Sequence, residues 1–241
     1  MKSTGYLQGV VENGFSIFVP FEDVKLLERH EINEFEVNID DGRTITAAQR
    51  RKIFALIHDI TEFVSAPPPS ASEREHNETL RQMQLLFVMN RTSSEAVRRQ
   101  LTYHFCNLSQ AELFSLSSVD LTTARHFIDY LVELCVVHAI PCLDTLLNRA
   151  EDIGRYIYTS CLHRRCAICG KDADLHHVDR VGIGRNRNEI IQIGMRVQPL
   201  CREHHRECHK MPQEDFDARY HLECVRVDEH MATELGLGKL A

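Results

Sequence analysis

The ten residues from Leu200 to His209, LCREHHRECH, contain two cysteines and three histidines. Thiolate sulfur and imidazole nitrogen are the side-chain ligands that bind zinc most often in proteins. A second source of such ligands lies upstream, where CAICGK places Cys166 and Cys169 in a C-x2-C pair followed by a glycine. That spacing is typical of a tight turn whose two thiolates grip one side of a tetrahedral zinc ion. The sequence therefore predicts metal binding by residues from two separate segments.

The spacing within LCREHHRECH predicts two metal ions rather than one. The segment is expected to be helical, and neighbouring helical residues point about 100° apart, so His204 and His205 should serve different ions. Residues three or four apart share a helix face, which pairs Cys201 with His204 and His205 with His209. The other split, Cys201 with His205 and His204 with Cys208, fits the same spacing and stays open.

The second ion needs further ligands, and ADLHHVDRVG can supply them. Leu175 and Val178 flank two histidines, which predicts a short strand starting near Ala173. On a strand, His176 and His177 point to opposite sides. One of them can bind the ion while the other acts as a base, because the imidazole pKa lies near neutrality.

Composition sets the class of protein. The chain has 241 residues, 43% hydrophobic and 26% charged, as in soluble globular proteins. The absence of a long uncharged apolar run predicts no membrane span, and the absence of an apolar signal segment predicts a cytoplasmic protein. The nine cysteines are then expected to stay reduced. Net charge is −7, but residues 155–210 hold eleven Lys and Arg against six Asp and Glu, a local +5 that suits contact with phosphates.

The chain is predicted to be of the α+β class. Two strands around Asn13-Gly14 are predicted to form a hairpin, and a helix over 46–64 begins with a Thr46–Gln49 capping box. One face of this helix is predicted to be apolar, because five residues share it at helical spacing: Ile53, Leu56, Ile57, Ile60 and Val64. SAPPPSASE, residues 65–73, is a proline-rich connector within the N-terminal domain. Long helical periodicity stops near residue 161, which places a domain boundary close to residue 150. Further elements are predicted as a helix over 21–30, a strand over 35–40, and helices over 73–89, 94–105, 122–138 and 144–161.

The segments CAIC, LHHV and LCREHHRECH together resemble the zinc-containing HNH endonucleases, in particular those of phage type, over roughly residues 160–212. Those nucleases have a ββα-metal core, a hairpin carrying a His pair followed by a helix carrying further ligands. The resemblance implies a mixed α/β N-terminal domain over 1–150 and a zinc-stabilised ββα-metal nuclease domain over 151–241. It implies His177 as the general base, a catalytic divalent ion on His176, His205 and His209, and a structural zinc on Cys166, Cys169, Cys201 and His204.

One position departs from the pattern of that family. An asparagine usually precedes the cysteine of the helix by five residues, and Arg196 occupies this position here. Asn186 and Asn188 are candidates to replace it. This departure leaves open a zinc-stabilised protein that binds DNA without cleaving it.

The expected cofactors are Zn²⁺ at the structural site and a second divalent ion at the catalytic site. An all-imidazole site favours Mn²⁺, Ni²⁺ or Zn²⁺ over Mg²⁺, which prefers oxygen ligands. DNA phosphates are expected to contact Arg185 and Arg187 between the hairpin strands, with Arg164 and Arg165 as further candidates. For each arginine, a solvated side chain explains the charge equally well.

The N-terminal part has its own resemblance. RTITAAQRRKIFALIHDI and DLTTARHFIDYLVELCVVHAIP are similar to segments of the phage lambda Orf (NinB) recombination mediators. Gln49, Arg51, Lys52 and Phe54 carry the first match, with Arg51 and Lys52 as DNA-binding candidates. This resemblance implies single-stranded DNA binding, action with single-strand-binding protein, and a homodimer.

Three functions follow from these features. The first is a metal-dependent DNA endonuclease acting on branched or single-stranded DNA in phage recombination. The second is a non-cleaving zinc-stabilised mediator that binds single-stranded DNA. The third is a zinc ribbon that serves only protein contacts, which leaves His176, His177 and His209 unexplained.

Overall fold

The computed structural model describes residues 6–11, 14–18, 42–65, 93–179 and 192–237. The chain divides into two compact units, residues 1–41 and residues 42–241. The connector after Ser65, the predicted elements over 21–40 and 73–89, and the candidates Arg185, Arg187, Asn186 and Asn188 lie outside the described residues.

The first unit contains the predicted hairpin. Strand β1 (Tyr6–Val11) pairs antiparallel with β2 (Gly14–Phe18), and a register shift lies between Leu7 and Gly9. The two residues between the strands are outside the described part of the chain, so the Asn13-Gly14 turn type stays a prediction.

Three long helices form the first part of the second unit: α1 (Ala47–Ser65), α2 (Ser94–Ser109) and α3 (Leu121–Val137). The capping box of α1 is confirmed, because Thr46 N donates to Gln49 Oε1 at 3.1 Å and Gln49 N donates to Thr46 Oγ1 at 3.1 Å. Ser93 and Asp120 cap α2 and α3 in the same way. The helix starts follow from local sequence, because each cap satisfies backbone N–H groups that the helix leaves unpaired.

The predicted apolar face of α1 is confirmed in large part. Four of its five residues are buried in the core, namely Ile53, Leu56, Ile57 and Ile60. The fifth, Val64, is half-buried. They pack against α3, whose Phe127, Ile128 and Leu131 are fully buried. The core continues through Ile157 of the next long helix to Val197 and Leu200 of the C-terminal sheet.

The prediction of one helix over 144–161 is wrong. The segment forms α4 (Leu146–Arg149) and α5 (Ile153–Leu162), separated by an extended residue at Ala150. Between them, Asp129 of α3 accepts hydrogen bonds from the backbone N–H groups of Glu151 and Asp152, at 2.9 and 3.0 Å. These bonds to a distant carboxylate replace helical ones and hold the break.

The buried Arg149 contacts Asp59 at 2.6 Å, and both residues lie on the N-terminal side of residue 150. Two other ion pairs connect side chains on the two sides of that position: Lys52 contacts Glu151 at 2.8 Å and Arg155 contacts Glu133 at 2.5 Å. The division into domains at 150 stays a prediction, and the helical layer and the C-terminal part are joined by these polar contacts.

The C-terminal sheet has the order β3 (Asp174–His177), β4 (Arg196–Leu200) and β5 (Val225–Arg226), all antiparallel. Three short helices follow or flank it: α6 (Arg202–Cys208), α7 (Gln213–Tyr220) and α8 (Glu229–Leu235). Phe216 of α7 and Met231 of α8 are fully buried against this layer. The described residues thus form a mixed α/β protein with two small sheets and eight helices.

None of the described helices has the length and apolarity to cross a membrane.

Candidate metal centres

Three backbone hydrogen bonds stabilise the turn that contains Cys166 and Cys169. Cys166 N donates to Lys171 O at 2.7 Å and Gly170 N to Cys166 O at 2.8 Å, which close the turn. Gly170 has φ +71°, a conformation that side chains disfavour, so glycine is required here. Outside the turn, Ala167 N donates to Pro199 O of β4 at 3.0 Å. These backbone bonds hold the two cysteines in one turn.

The other two candidate ligands, Cys201 and His204, lie just after strand β4 and next to this turn. Cys201 directly follows β4 and is the N-cap of α6, and His204 lies one turn further. Cys169 Sγ lies 3.7 Å from Cys201 Sγ, while His204 Nδ1 lies 3.4 Å from Cys166 Sγ and 3.2 Å from Cys201 Sγ. All four ligand atoms lie within 4.8 Å of one another.

These distances match the donor spacing around a zinc ion. Bonds of about 2.3 Å to sulfur and about 2.0 Å to nitrogen in a tetrahedron separate two sulfurs by about 3.8 Å, and a sulfur and a nitrogen by about 3.5 Å. The three observed separations lie within about 0.3 Å of these values. The Cys3His cluster therefore fits a tetrahedral metal ion such as zinc.

The thiols of this cluster titrate as expected for a site that needs a cation. Burial raises the pKa of Cys166, and burial together with the Cys166 sulfur raises the pKa of Cys169 to about 12. Burial also acts against ionisation of Cys201, but backbone N–H groups of His204 and Glu203 outweigh it and lower its pKa. A bound cation would favour the ionised form of Cys166 and Cys169, the two thiols whose pKa is raised.

A second cluster lies on the other face of α6. His205 Nε2 and His209 Nε2 are 3.2 Å apart, and the His176 ring centre lies 4.9 Å and 5.2 Å from the other two ring centres. One nitrogen of each ring lies within 4.8 Å of the others. Tetrahedral nitrogen ligands at about 2.0–2.1 Å would be about 3.4 Å apart, so the His205–His209 distance fits a shared ion.

Cys208 belongs to neither the Cys3His cluster nor the cluster of three histidines. Its sulfur is buried and lies 3.5 Å from His176 Nε2. Of the two splits that the helical spacing allowed, the structure brings together Cys201 with His204 and His205 with His209.

His176 and His177 take opposite sides of β3, as the alternation of a strand requires. His176 is 6% exposed and faces α6, and burial lowers its pKa, with its three histidine neighbours adding to the effect. A buried neutral imidazole keeps the lone pair that a metal ion needs. His176 pairs across the sheet with Gln198, and His177 with Val197.

His177 contacts a residue that the motif did not indicate. Its Nε2 lies 2.8 Å from Gln192 Oε1, and its Nδ1 is buried with no hydrogen-bond partner among the described residues. A buried nitrogen without a hydrogen-bond partner costs about 1–3 kcal/mol.

The four histidines line one cleft of about 350 Å³, together with Leu175, Val178, Asp179, Cys208, Met211 and Gln213. The cleft therefore combines a cluster that fits a cation with an imidazole outside that cluster.

Arg196, at the position of the usual asparagine, binds Asp179. The Asp179 carboxylate accepts from Arg196 N at 2.7 Å, Nε at 3.0 Å and Nη2 at 2.7 Å. These bonds lower the pKa of Asp179, mainly through the guanidinium. They tie the end of β3 to the start of β4, on either side of residues 180–191.

The predicted DNA contacts have mixed surroundings. Arg165 pairs with Asp172 at 2.6 Å and Lys52 with Glu151 at 2.8 Å. Arg51 is exposed on α1, and Arg164 is an exposed residue in the left-handed conformation after α5. Gln49 is buried and serves the cap of α1, whereas Phe54 is half exposed.

Several residues of this region were missed by the motif-based prediction. Gln192, Gln198, Gln213 and Asp217 contact the histidines or one another, and no local pattern marks them. By contrast, the exposed Arg202, Arg206 and Lys210 recur at steps of four, a spacing that was visible in the sequence.

The family model described as "Putative HNHc nuclease" matches residues 86–238. The match extends well beyond the 160–212 segment that carried the resemblance and includes α2 and α3. No curated protein and no solved structure matches the chain.

Proposed function

The chain belongs to the HNHc nuclease family, and on this premise we propose that it hydrolyses DNA phosphodiester bonds in the cleft lined by His176, His177, His205 and His209. The observation that carries the proposal is the separation of two ligand clusters on different faces of α6, about 100° apart around the helix axis. A single structural zinc would use only the cysteine cluster. The three converging imidazoles and the adjacent His177 then require a second role.

The two clusters would have different roles, one structural and one catalytic. Cys166, Cys169, Cys201 and His204 would hold a structural zinc that fixes α6 against the turn before it. His176, His205 and His209 would hold the catalytic divalent ion. When bound, this ion supplies a Lewis acid that offsets negative charge on the phosphate.

His177 is proposed as the general base. With Gln192 Oε1 accepting the Nε2 proton, Nδ1 keeps the lone pair that would take a proton from the attacking water, once substrate binding admits a water to this buried nitrogen. Gln192 thereby fixes both the ring orientation and the tautomer. Arg196, through Asp179, holds the strand ends that frame this histidine, so the missing asparagine is replaced in its positioning role by a different contact.

The DNA backbone is proposed to lie along the exposed basic side chains of α6 and the turn after it. By helical spacing, Arg202 and Arg206 lie beside the His205 and His209 side of α6, and the exposed Lys210 follows in the turn after the helix. Such side chains bind phosphates without reading base sequence. Arg164 and Arg51 are exposed and stay candidates, whereas Arg165 and Lys52 would first have to leave their carboxylate partners.

The finer biological role follows from the resemblances. A role in phage recombination, a preference for branched or single-stranded DNA, association with single-strand-binding protein and a homodimer are proposed on that ground. The mediator without cleavage is the competing function, and the exposed Arg51 and Phe54 on α1 are the observation in its favour.

A nicking assay separates these functions. Supercoiled plasmid and a set of single strands, forks, flaps and four-way junctions are incubated with the protein and Mn²⁺. His177→Ala should reduce cleavage by about 10²–10⁴-fold, the usual contribution of a general base, with metal content and fold unchanged. His230→Ala, an exposed histidine on α8, is the matched control and should cleave like the wild type.

Two results would contradict the proposal. Undiminished cleavage by His177→Ala would exclude this residue as the base. Tight binding to single strands without cleavage of any substrate, across several divalent ions, would favour the mediator.

A further inference from the structure

A partly buried polar network lies next to His176, and none of its other members is a predicted site residue. Gln213 Oε1 lies 3.1 Å from His176 Nε2, and Gln213 Nε2 donates to Asp217 Oδ1 at 2.9 Å and to Gln198 Oε1 at 3.0 Å. Gln198 Nε2 in turn donates to the same Asp217 oxygen at 2.7 Å. Gln198 is fully buried and faces His176 across the β3–β4 pair.

The network fixes the direction of the Gln213 amide. An ionised carboxylate only accepts hydrogen bonds, so the amide groups of both glutamines must turn their NH2 ends toward Asp217. The Gln213 oxygen then points the other way, toward His176 Nε2 and the Cys208 thiol, 3.4 Å away. Reversing the amide would set its oxygen against the carboxylate and its NH2 group against the thiol.

The orientation of the amide decides which ring nitrogen of His176 carries the proton. Because Gln213 Oε1 can only accept, His176 Nε2 must donate, and Nδ1 keeps the lone pair. A metal ion bonded to Nε2 at about 2.0–2.1 Å would collide with Gln213 Oε1, which already lies along that direction. Nδ1 is the nitrogen left for coordination.

We propose that Gln213, oriented by Asp217 and Gln198, is a positioning residue that holds His176 in its Nε2–H tautomer and makes Nδ1 the metal-binding atom. We call this chain of hydrogen bonds, from the Asp217 carboxylate through the Gln213 amide to the His176 imidazole, the relay. It is a neutral counterpart of the carboxylate–histidine pairs that orient ligands in many metal sites. The inference rests on the proposed function, in which His176 is a ligand of the catalytic ion.

The proposal is tested by two measurements on the full chain. Long-range ¹H–¹⁵N correlation spectra of the metal-free histidine site, with the cysteine cluster kept occupied by Zn²⁺, report the tautomer of His176. Titration of the same protein with Co²⁺, followed by its d–d absorption, gives the affinity of the histidine cluster. Neither measurement depends on nuclease activity.

Asp217→Asn is the main variant, since an asparagine has nearly the same shape and can satisfy either direction of the Gln213 amide. It should give a mixture of tautomers and weaken Co²⁺ binding by about 10–100-fold, the usual effect of removing a residue that orients a ligand. Asp215→Asn, an exposed residue of the same helix, is the control and should match the wild type. Gln213→Ala should weaken Co²⁺ binding to a similar degree.

Three outcomes would overturn the relay. These are an Nδ1–H tautomer in the wild type, coordination through Nε2, and wild-type affinity in both Asp217→Asn and Gln213→Ala. A wild type with the Nε2–H tautomer that binds no Co²⁺ would instead refute the proposed metal site, which distinguishes the failure of the two ideas.

Discussion

Removal of the Arg149 guanidinium should destabilise the protein more than removal of any single surface charge. Arg149 Nη1 lies 2.6 Å from Asp59 Oδ2, and their side chains are 7% and 3% exposed. Asp59 also accepts from Leu143 N at 3.3 Å. The pair joins α1 to α4, immediately before the break that leads into α5.

The expected magnitude follows from this burial. In Arg149→Ala, the Asp59 carboxylate keeps one backbone donor but loses its counter-charge in a nearly dry environment. Breaking a buried pair in this way costs about 3–5 kcal/mol. For a domain of 150–250 residues, each kcal/mol shifts the melting temperature by about 2–4 °C, so Tm should fall by about 6–20 °C.

A double-mutant cycle by urea unfolding, in zinc-containing buffer, measures the effect. The cycle compares Asp59→Leu, Arg149→Leu and the double variant. The double variant lacks both charges and should be much less destabilised than either of these two single variants, because no unpaired charge remains. Arg155→Ala breaks a helix-to-helix pair whose side chains are 55% and 38% exposed, and should cost no more than about 1 kcal/mol.

The reasoning would be refuted by equal stabilities of Arg149→Ala and Arg155→Ala. It would also fail if the two single substitutions at the buried pair were simply additive, since additivity means that the charges do not interact.

Three further predictions concern the metal cluster, a helix cap and the core. Binding of structural zinc contributes about 10–16 kcal/mol in small zinc peptides, which equals or exceeds the whole free energy of unfolding of a typical domain. Cys169→Ser or a chelator should therefore remove hydrogen-exchange protection from β3 to α8. Cys224→Ser is the control and should leave this protection unchanged. Burial raises the pKa of Asp120, but hydrogen bonds from the Thr123 side chain and backbone outweigh it and lower the pKa overall. This cap therefore stabilises α3 above the ordinary aspartate pKa of 3.8, and this stabilisation is lost as pH falls through the lower folded value. Asp120→Ala should cost about 1 kcal/mol at pH 7 and progressively less as pH falls below 3.8, as measured by urea unfolding over a series of pH values. Phe127→Ala should cost about 3–5 kcal/mol in the same assay, because its fully buried ring packs between other aromatic rings.

Local rules accounted for the elements whose signals lie within a few residues. The capping box of α1, the apolar face of the same helix and the starts of α2 and α3 depend on contacts three or four positions apart, whereas α2 ends at Ser109, four residues beyond its predicted end. The same rules failed at Ala150, because the break between α4 and α5 is held by Asp129, more than twenty residues away.

The two ligand clusters show the same division. Helical geometry alone required that His204 and His205 diverge, and this held because α6 is regular. Helical geometry could not choose between the two splits, because both place residues three or four apart. The choice was made by the turn at Cys166, which β4 and α5 place against the Cys201 and His204 side of the helix.

The sequence by itself determined the chemical types of the ligands, their grouping along the chain and the opposite directions of His176 and His177, because these depend on side-chain chemistry and on the period of a strand or helix. Only the tertiary structure decided which imidazoles meet, what holds His177 and His176, and what Arg196 does in place of an asparagine. Gln192, Gln213 and Asp179 have these roles through contacts between segments that lie 15 to 37 residues apart. Such contacts leave no periodic trace, because they arise only when packed elements bring distant polar groups within hydrogen-bond distance.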